Sequence, residues 1–317
     1  MTLPISAVLP IYNCRERLER HLRSVVEWAP SVSELIVVDS GSTDGTLELA
    51  QEVLTPMGAH FIYNPPGLYQ SWNAGIATAT SQWCYISTVE DPITPEGLTH
   101  LLEIGERHQT DIVISPPEMM NQDGTAPVEN KMPSNRLADA FTNCDHKERV
   151  LNRFESMVFS IGFLPSTLLG SSASNLYKSS FMKGYPFPSE FGSAGDSAWA
   201  AHVASIAKIA FTPQKVARFY NQTVFKPMSR AEQLKRQIAF FDHAVKGLKS
   251  SEHNSTEEAI ISGWLSNQRF HSLELWQLLV NHERYQKDLE SNQCRGVLSH
   301  FYRPALELLD KLVNSRK

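Results

Sequence analysis

The residues of this sequence best suited to chemistry are carboxylates at the ends of apolar runs. Asp39-Ser40-Gly41-Ser42-Thr43-Asp44 follows Leu35-Ile-Val-Val38, and Val89-Glu90-Asp91 closely follows Trp83-Cys-Tyr-Ile86. A carboxylate at the end of a buried strand can accept hydrogen bonds from a base N–H or a ribose hydroxyl. A second acidic pair can hold a hard divalent cation, which takes oxygen ligands and often bridges substrate phosphates. Each residue also has a plain structural use. Asp44 can cap the helix that follows it, and Asp91-Pro92 can turn the chain into Thr94. Asp196, ahead of the helical stretch 197–207, suits an N-cap. What sets the first two groups apart is their place at successive strand ends.

Those ends exist only if the first 115 residues fold as alternating strands and helices. The apolar run 5–11 predicts a buried strand, and 15–28 predicts a helix with Leu18, Leu22, Val25 and Val26 facing the core. A second strand over 34–38 ends at Asp39 and leads through a turn into a helix carrying Leu47, Ala50 and Leu54. Further strands are expected at 60–63, 83–87 and 111–115, and a helix at 72–79. A last helix of this region starts from Thr94 as N-cap with Pro95 in its first position. The expected class is α/β, with a mostly parallel sheet covered by helices on both faces. Ligands of such sheets bind beyond the carboxyl ends of the strands, which singles out residues 10–13, 39–44 and 88–91. Residues 116–165 are irregular. From 229 onward the pattern is helical, with a capping box at Ser229-Arg-Ala-Glu232, an apolar stripe at Leu273, Trp276, Leu279 and Val280, and a last helix over 305–313.

Composition removes several classes. A hydrophobic fraction of 42% over 317 residues is that of a folded chain. The net charge of −5 lacks the basic excess that phosphate-backbone binding needs, so no nucleic-acid partner is expected. Cys14, Cys84, Cys144 and Cys294 stand too far apart for a zinc pattern and read as reduced thiols. No run approaches a membrane span, residues 157–169 being short and broken by Pro165. The start of the chain shows no signal-peptide pattern, so the expected location is cytoplasmic. Neither G-x-G-x-x-G nor G-x-x-x-x-G-K-[ST] occurs, which argues against the usual dinucleotide oxidoreductases and P-loop NTPases.

With these residues in view the sequence resembles the family 2 glycosyltransferases of GT-A fold, inverting enzymes that use nucleotide-sugars. Ser6-Ala-Val-Leu-Pro10-Ile-Tyr12-Asn13 is similar to the family's first strand, and Glu34 to Thr46 matches its second-strand motif most closely. Gly67 to Ala77 resembles the segment before the metal motif, and Trp83 to Asp91 falls where that motif lies. The resemblance implies that Pro10, Tyr12 and Asp39 contact the nucleoside, with Asp39 on the base, most often uracil. It assigns Ser42, Asn73 and Glu90 to the nucleotide-sugar site as well. Asp91, alone or beside Glu90, would hold Mn²⁺ or Mg²⁺ against the diphosphate. Gly192-Ser-Ala-Gly-Asp196 stands in the place of the family's Glu-Asp motif, which makes Asp196 the catalytic base. Acidic family positions are Ser40, Val89 and Gly195 here.

The activity so implied is transfer of a sugar to a hydroxyl of a glycan or lipid-linked acceptor, within polysaccharide biosynthesis, by a catalytic domain spanning 1–228. Its nucleotide-sugar half would be 1–115 and its acceptor half 116–228, with a helical C-terminal region over 229–317. Two alternatives stay open: a catalytically silent relative that binds nucleotide-sugar or scaffolds glycan assembly, and a nucleotidyltransferase, although Pro10-Ile-Tyr-Asn13 lacks the glycine-rich loop of the latter. His202 could face the acceptor or solvent, and Tyr69, Trp72 and Trp199 could stack on a ligand or lie in the core. Lys235, Arg236, Lys246 and Lys249 suit a solvated face, a homodimer surface, or peripheral contact with an anionic membrane at its inner face.

Overall fold

In β1 (Leu3–Ile11) and β2 (Val32–Asp39) apolar side chains face both sides, as strands covered on both faces require. The two pair in parallel, and β3 (His60–Tyr63) adds to the far side of β2. On its other side β1 pairs in parallel with β4 (Trp83–Ile86). This computed structural model describes residues 2–121, 125, 132, 134–135, 138, 148–151, 156, 167–220, 239–240, 243 and 246–247. Among them the remaining strands are β5 (Ile112–Ile114), β6 (Glu118–Met120), β7 (Arg149–Leu151), β8 (Asn175–Lys178), β9 (Ile209–Phe211) and β10 (Arg218–Tyr220). The large sheet runs β3-β2-β1-β4-β8-β5-β9-β7. All its assigned pairings are parallel except those of β8, which runs antiparallel between β4 and β5. A small second sheet pairs β10 with β6.

The alternation of β1 decides which helices share a face. Ile5, Ala7, Leu9 and Ile11 join one core with Leu18, Leu22 and Val25 of α1 (Arg15–Trp28), Ala50 and Leu54 of α2 (Thr46–Leu54), and Leu98 and Leu101 of α4 (Pro95–His108). Trp28 of α1 meets Tyr85 of β4 edge to face, with ring centroids 5.7 Å apart. α3 (Leu68–Thr78) takes the other face. Its Gly75 lies so close to Val8 and Val38 that a β-carbon there would overlap Val8. Helices therefore cover both faces, as expected. Val26, however, is 39% exposed: the stripe through 18, 22 and 25 turns it away from the sheet. Thr94 caps α4 as the sequence predicts, its hydroxyl accepting from Gly97 N at 3.0 Å.

The chain divides into two compact units. The first contains residues 1–150, 169–196 and 208–223 and carries nearly all of the described sheet. It also holds α5 (Ser179–Gly184), whose Lys183 ammonium donates to Ala79 O at 2.7 Å, and the first two residues of α6 (Gly195–Val203). In the second unit α6 continues through Ser197, and Ala207 N closes a turn on Val203 O at 2.8 Å. His202 of this unit lies beside His243, ring centroids 4.7 Å apart, and one ring nitrogen is 3.0 Å from His243 O; it is half-buried rather than turned to solvent. Cys14 and Cys84 are buried free thiols. Among the described residues no helix is long and apolar enough to cross a membrane. The capping box at 229–232, the stripe at 273–280, the helix at 305–313, Cys144, Cys294, Lys235, Arg236 and Lys249 lie outside the described residues.

Candidate functional site

The loops after β1 and β2 are built as one piece. Asp39 is buried, and its carboxylate accepts from Gly41 N at 2.9 Å and Ser42 N at 3.1 Å, an aspartate turn closed by the backbone. Gly41 sits at φ +81°, left-handed backbone that favours glycine. The Ser42 hydroxyl accepts from Asn13 N at 3.1 Å, and Asn13 Oδ1 accepts from Thr43 N at 2.8 Å. Asp44 takes Arg15 N at 3.2 Å and Thr46 N at 3.1 Å, the first N–H of α1 and of α2, from one residue before the α2 cap at Gly45. The Thr46 hydroxyl, at 2.5 Å, is the main cause holding the Asp44 carboxyl below its usual range. The structural reading of Asp44 is the observed one.

Around this platform the exposed aromatics gather. Tyr12 is 50% exposed directly beyond β1, Pro10 is half-buried before it, and Tyr63 is 70% exposed where β3 ends beside Asp39. Tyr63 escaped sequence reasoning; an aromatic closing a strand next to a strand-end aspartate was the available signal. Ser40 turns inward, its hydroxyl 2.6 Å from that of Ser71 on α3. Tyr69 and Trp72 are core residues, Tyr69 stacked on Phe187 at a centroid distance of 5.7 Å and Trp72 edge to face with it at 5.2 Å. Trp199 is buried as well. Asn73 donates to Phe187 O at 2.8 Å and accepts from Phe187 N at 2.9 Å, so its amide ties α3 to the segment before α6.

The turn after β4 places Asp91. Its N–H donates to Thr88 O at 3.0 Å, while its carboxylate accepts from the Thr88 hydroxyl at 2.8 Å and from Tyr220 N of β10 at 3.4 Å. Burial pushes the Asp91 carboxyl up to about 7; the two hydrogen bonds oppose this and the neighbouring Glu90 charge adds to it. Glu90 faces α1 instead, its carboxylate 2.7 Å from Arg20 and 3.9 Å from Arg17. Among the described residues no three His, Cys, Asp or Glu side chains converge as a metal cage. A single half-buried carboxylate with no ion-pair partner among those residues does fit Mg²⁺ or Mn²⁺, which are held through one or two carboxylates plus substrate phosphates.

Asp196 falls in the first turn of α6 rather than at its cap, because the helix starts two residues earlier than expected, at Gly195. Burial pushes the phenol of Tyr177 on β8 up to about 12; hydrogen bonds to Ser172 and Asn175 oppose this, and the Asp196 charge adds to it. At Gly195 a β-carbon would stand 2.5 Å from both Pro188 O and the Tyr69 ring. The space that an acidic side chain would fill is taken by Tyr69, whose hydroxyl donates to Ser193 O at 3.2 Å. Gly195→Ala is expected to lower stability by about 1–3 kcal/mol through overpacking, and Gly195→Glu by more. Urea unfolding midpoints of the two variants unchanged from wild type would refute this account of the glycine.

The glycosyl transferase family 2 pattern matches residues 6–165. A PGL/p-HBAD biosynthesis glycosyltransferase of Mycobacterium tuberculosis is 29% identical over 113 residues, 34% of this chain and 44% of that protein. Glycosyltransferase AglE of Haloferax volcanii is 40% identical over 57 residues, 17% of this chain and 19% of the other. The chain thus spans less than half the length of these curated relatives. S. aureus TarS 1-349, solved with UDP-GlcNAc, superposes with a TM-score of 0.59 at 16% identity, covering 100% of this chain and 82% of that one. The mannosyltransferase PcManGT of Pyrobaculum calidifontis, solved with GDP-Man and Mn²⁺, gives 0.55 at 14% identity, covering 100% and 89%. Both likenesses concern the fold, which is GT-A. With its family pattern matched across half its length, from within the first strand through the turns that carry Asp39 and Asp91, the chain belongs to glycosyl transferase family 2.

Proposed function

We propose that this protein is a metal-dependent, inverting glycosyltransferase that moves a sugar from a UDP-sugar to a hydroxyl of a glycan or lipid-linked acceptor. What supports the reading is the strand order β2-β1-β4: Asp39 ends β2, Tyr12 directly follows β1, and the turn carrying Asp91 follows β4, all beyond the carboxyl ends of parallel neighbours. That edge is where ligands of such sheets bind. Tyr12 offers a ring face to the base, and Asp39, fixed by two backbone N–H groups, keeps lone pairs for a base N–H. A divalent cation bound by Asp91 would stabilise negative charge on the departing diphosphate.

The proposed reaction is one in-line displacement. The acceptor oxygen bonds to the anomeric carbon as the bond from that carbon to the diphosphate oxygen breaks. The acceptor proton passes to Asp196, and the nucleoside diphosphate leaves as the anion. Because the leaving group departs as a stabilised anion, no second carboxyl is needed as an acid, unlike hydrolytic sites with their carboxyl pairs.

Thermal unfolding with a panel of UDP- and GDP-sugars, with and without Mn²⁺, tests the reading. A UDP-sugar at 100 times its dissociation constant should add about 2.7 kcal/mol of stability, more readily with Mn²⁺ present. If no nucleotide-sugar shifts the transition in either condition, the proposal fails. If one does but no acceptor ever releases UDP, the protein is a silent nucleotide-sugar binder.

A further inference from the structure

Glu90 is one of only three described non-glycine residues with positive φ, at +81°. A glutamate gains nothing from that conformation, so something outside the turn must hold it there. The partners lie on one face of α1, at the helical spacing of residues 17, 20, 21 and 24. Arg20 meets Glu90 at 2.7 Å with Arg17 behind it at 3.9 Å. Next to Arg20, buried His21 hydrogen-bonds the Ser87 hydroxyl at 2.9 Å, and one turn along the Ser24 hydroxyl donates to Ile93 O at 2.9 Å. The helix therefore grips the segment from Ser87 to Ile93 at its start, middle and end. Asp91 lies inside that grip, and its own hydrogen bonds go to Thr88 and Tyr220.

We propose that Glu90 is a positioning residue, held by Arg20 and Arg17 of α1 so that the left-handed turn presents the Asp91 carboxylate in one fixed direction, and that it is not itself a ligand of metal or nucleotide. The Arg20 side chain is 61% exposed, and such an ion pair contributes little to stability. Its effect is local geometry. Outer partners that orient a ligand typically change metal affinity about 10–100-fold when removed. The inference rests on Asp91 being the metal carboxylate.

The test is a Mn²⁺ titration of the full-length protein in the presence of UDP, reading free Mn²⁺ by its paramagnetic resonance signal. Arg20→Ala and Glu90→Gly should each weaken Mn²⁺ binding at least about tenfold, with Arg20→Lys recovering part of the loss. Melting temperature and metal-free UDP binding should stay near wild type for all three. Glycine tolerates the φ, so a loss in Glu90→Gly reports the missing ion pair rather than a broken turn. Wild-type affinity in Arg20→Ala overturns the proposal, including the case in which only Glu90→Gly loses affinity, which would make Glu90 a direct ligand. If wild-type protein with UDP binds no Mn²⁺, the metal reading of Asp91 falls first and takes the positioning role with it.

Discussion

Asp196→Asn is expected to bind nucleotide-sugar as tightly as wild type and to lose about 10²–10⁴-fold in kcat, the usual contribution of a general base. The substitution keeps size and hydrogen-bonding reach while removing the ability to accept a full proton. Its position argues for the result. A carboxylate in the first turn of a helix is favoured by the unpaired N–H groups there, so a negative charge is tolerated at that point. Losing the interaction of that charge with the helix start costs about 0.3–1 kcal/mol of stability, which by itself does not explain a large kinetic loss by unfolding. The readout is therefore a split: kcat falls while the donor KM and the melting temperature hold. If turnover in Asp196→Asn stays within a factor of about ten of wild type, Asp196 is a helix-start residue and the base lies elsewhere.

The framework around this site was legible wherever the signal was local. Helix 15–28 has the bounds its periodicity predicts, strand 60–63 likewise, and the Thr94–Pro95 start of α4 follows from cap chemistry alone. The α/β class followed from apolar runs alternating with amphipathic ones. What stayed hidden depends on partners distant in sequence. β8 inserts antiparallel between β4 and β5 from more than 60 residues downstream, a pairing that no local pattern encodes. Asn73 sits in a motif-like segment, yet its amide is spent on Phe187, 114 residues away. The aromatics at 69 and 72 could have faced a ligand, and only the arrival of Phe187 decides for the core. Glu90 shows the same limit at the site. Its charge was readable beside Asp91, but its direction is set by Arg20 on a helix 70 residues earlier. The departures from the family pattern divide likewise. Gly195 has a steric cause in Tyr69, and Ser40 finds a neutral partner in Ser71. For Val89 the structure offers no reason beyond its packing against the core.

Asp91→Asn should move function and stability in opposite directions. It removes the one carboxylate proposed for the cation, so Mn²⁺-dependent stabilisation by a UDP-sugar should vanish. The same change should make the metal-free protein more stable at pH 8, by roughly 2–4 kcal/mol, since a carboxyl raised from 3.8 to about 7 carries its charge at a cost there. The asparagine amide can still accept from Tyr220 N and donate to the Thr88 hydroxyl, so the turn survives. The pH dependence separates this from a packing effect. In wild type, folded Asp91 takes up its proton as pH falls through about 7 while the unfolded chain waits until about 4, so this group adds stability on the way down. Buried His21 does the reverse. Desolvation lowers it from 6.5 to about 4, the unfolded chain protonates first, and stability falls by roughly 2–3 kcal/mol between those values. The two slopes oppose each other in wild type over pH 4 to 6.5. Asp91→Asn removes the compensating one, so its stability should start higher at pH 8 and drop more steeply below pH 6.5. Chemical denaturation without metal, repeated at pH 8, 6.5 and 4.5, measures both features. A variant no more stable than wild type at pH 8, with a parallel decline into acid, would mean that the Asp91 charge is already compensated within the protein. A cation would then have no uncompensated charge to meet at Asp91.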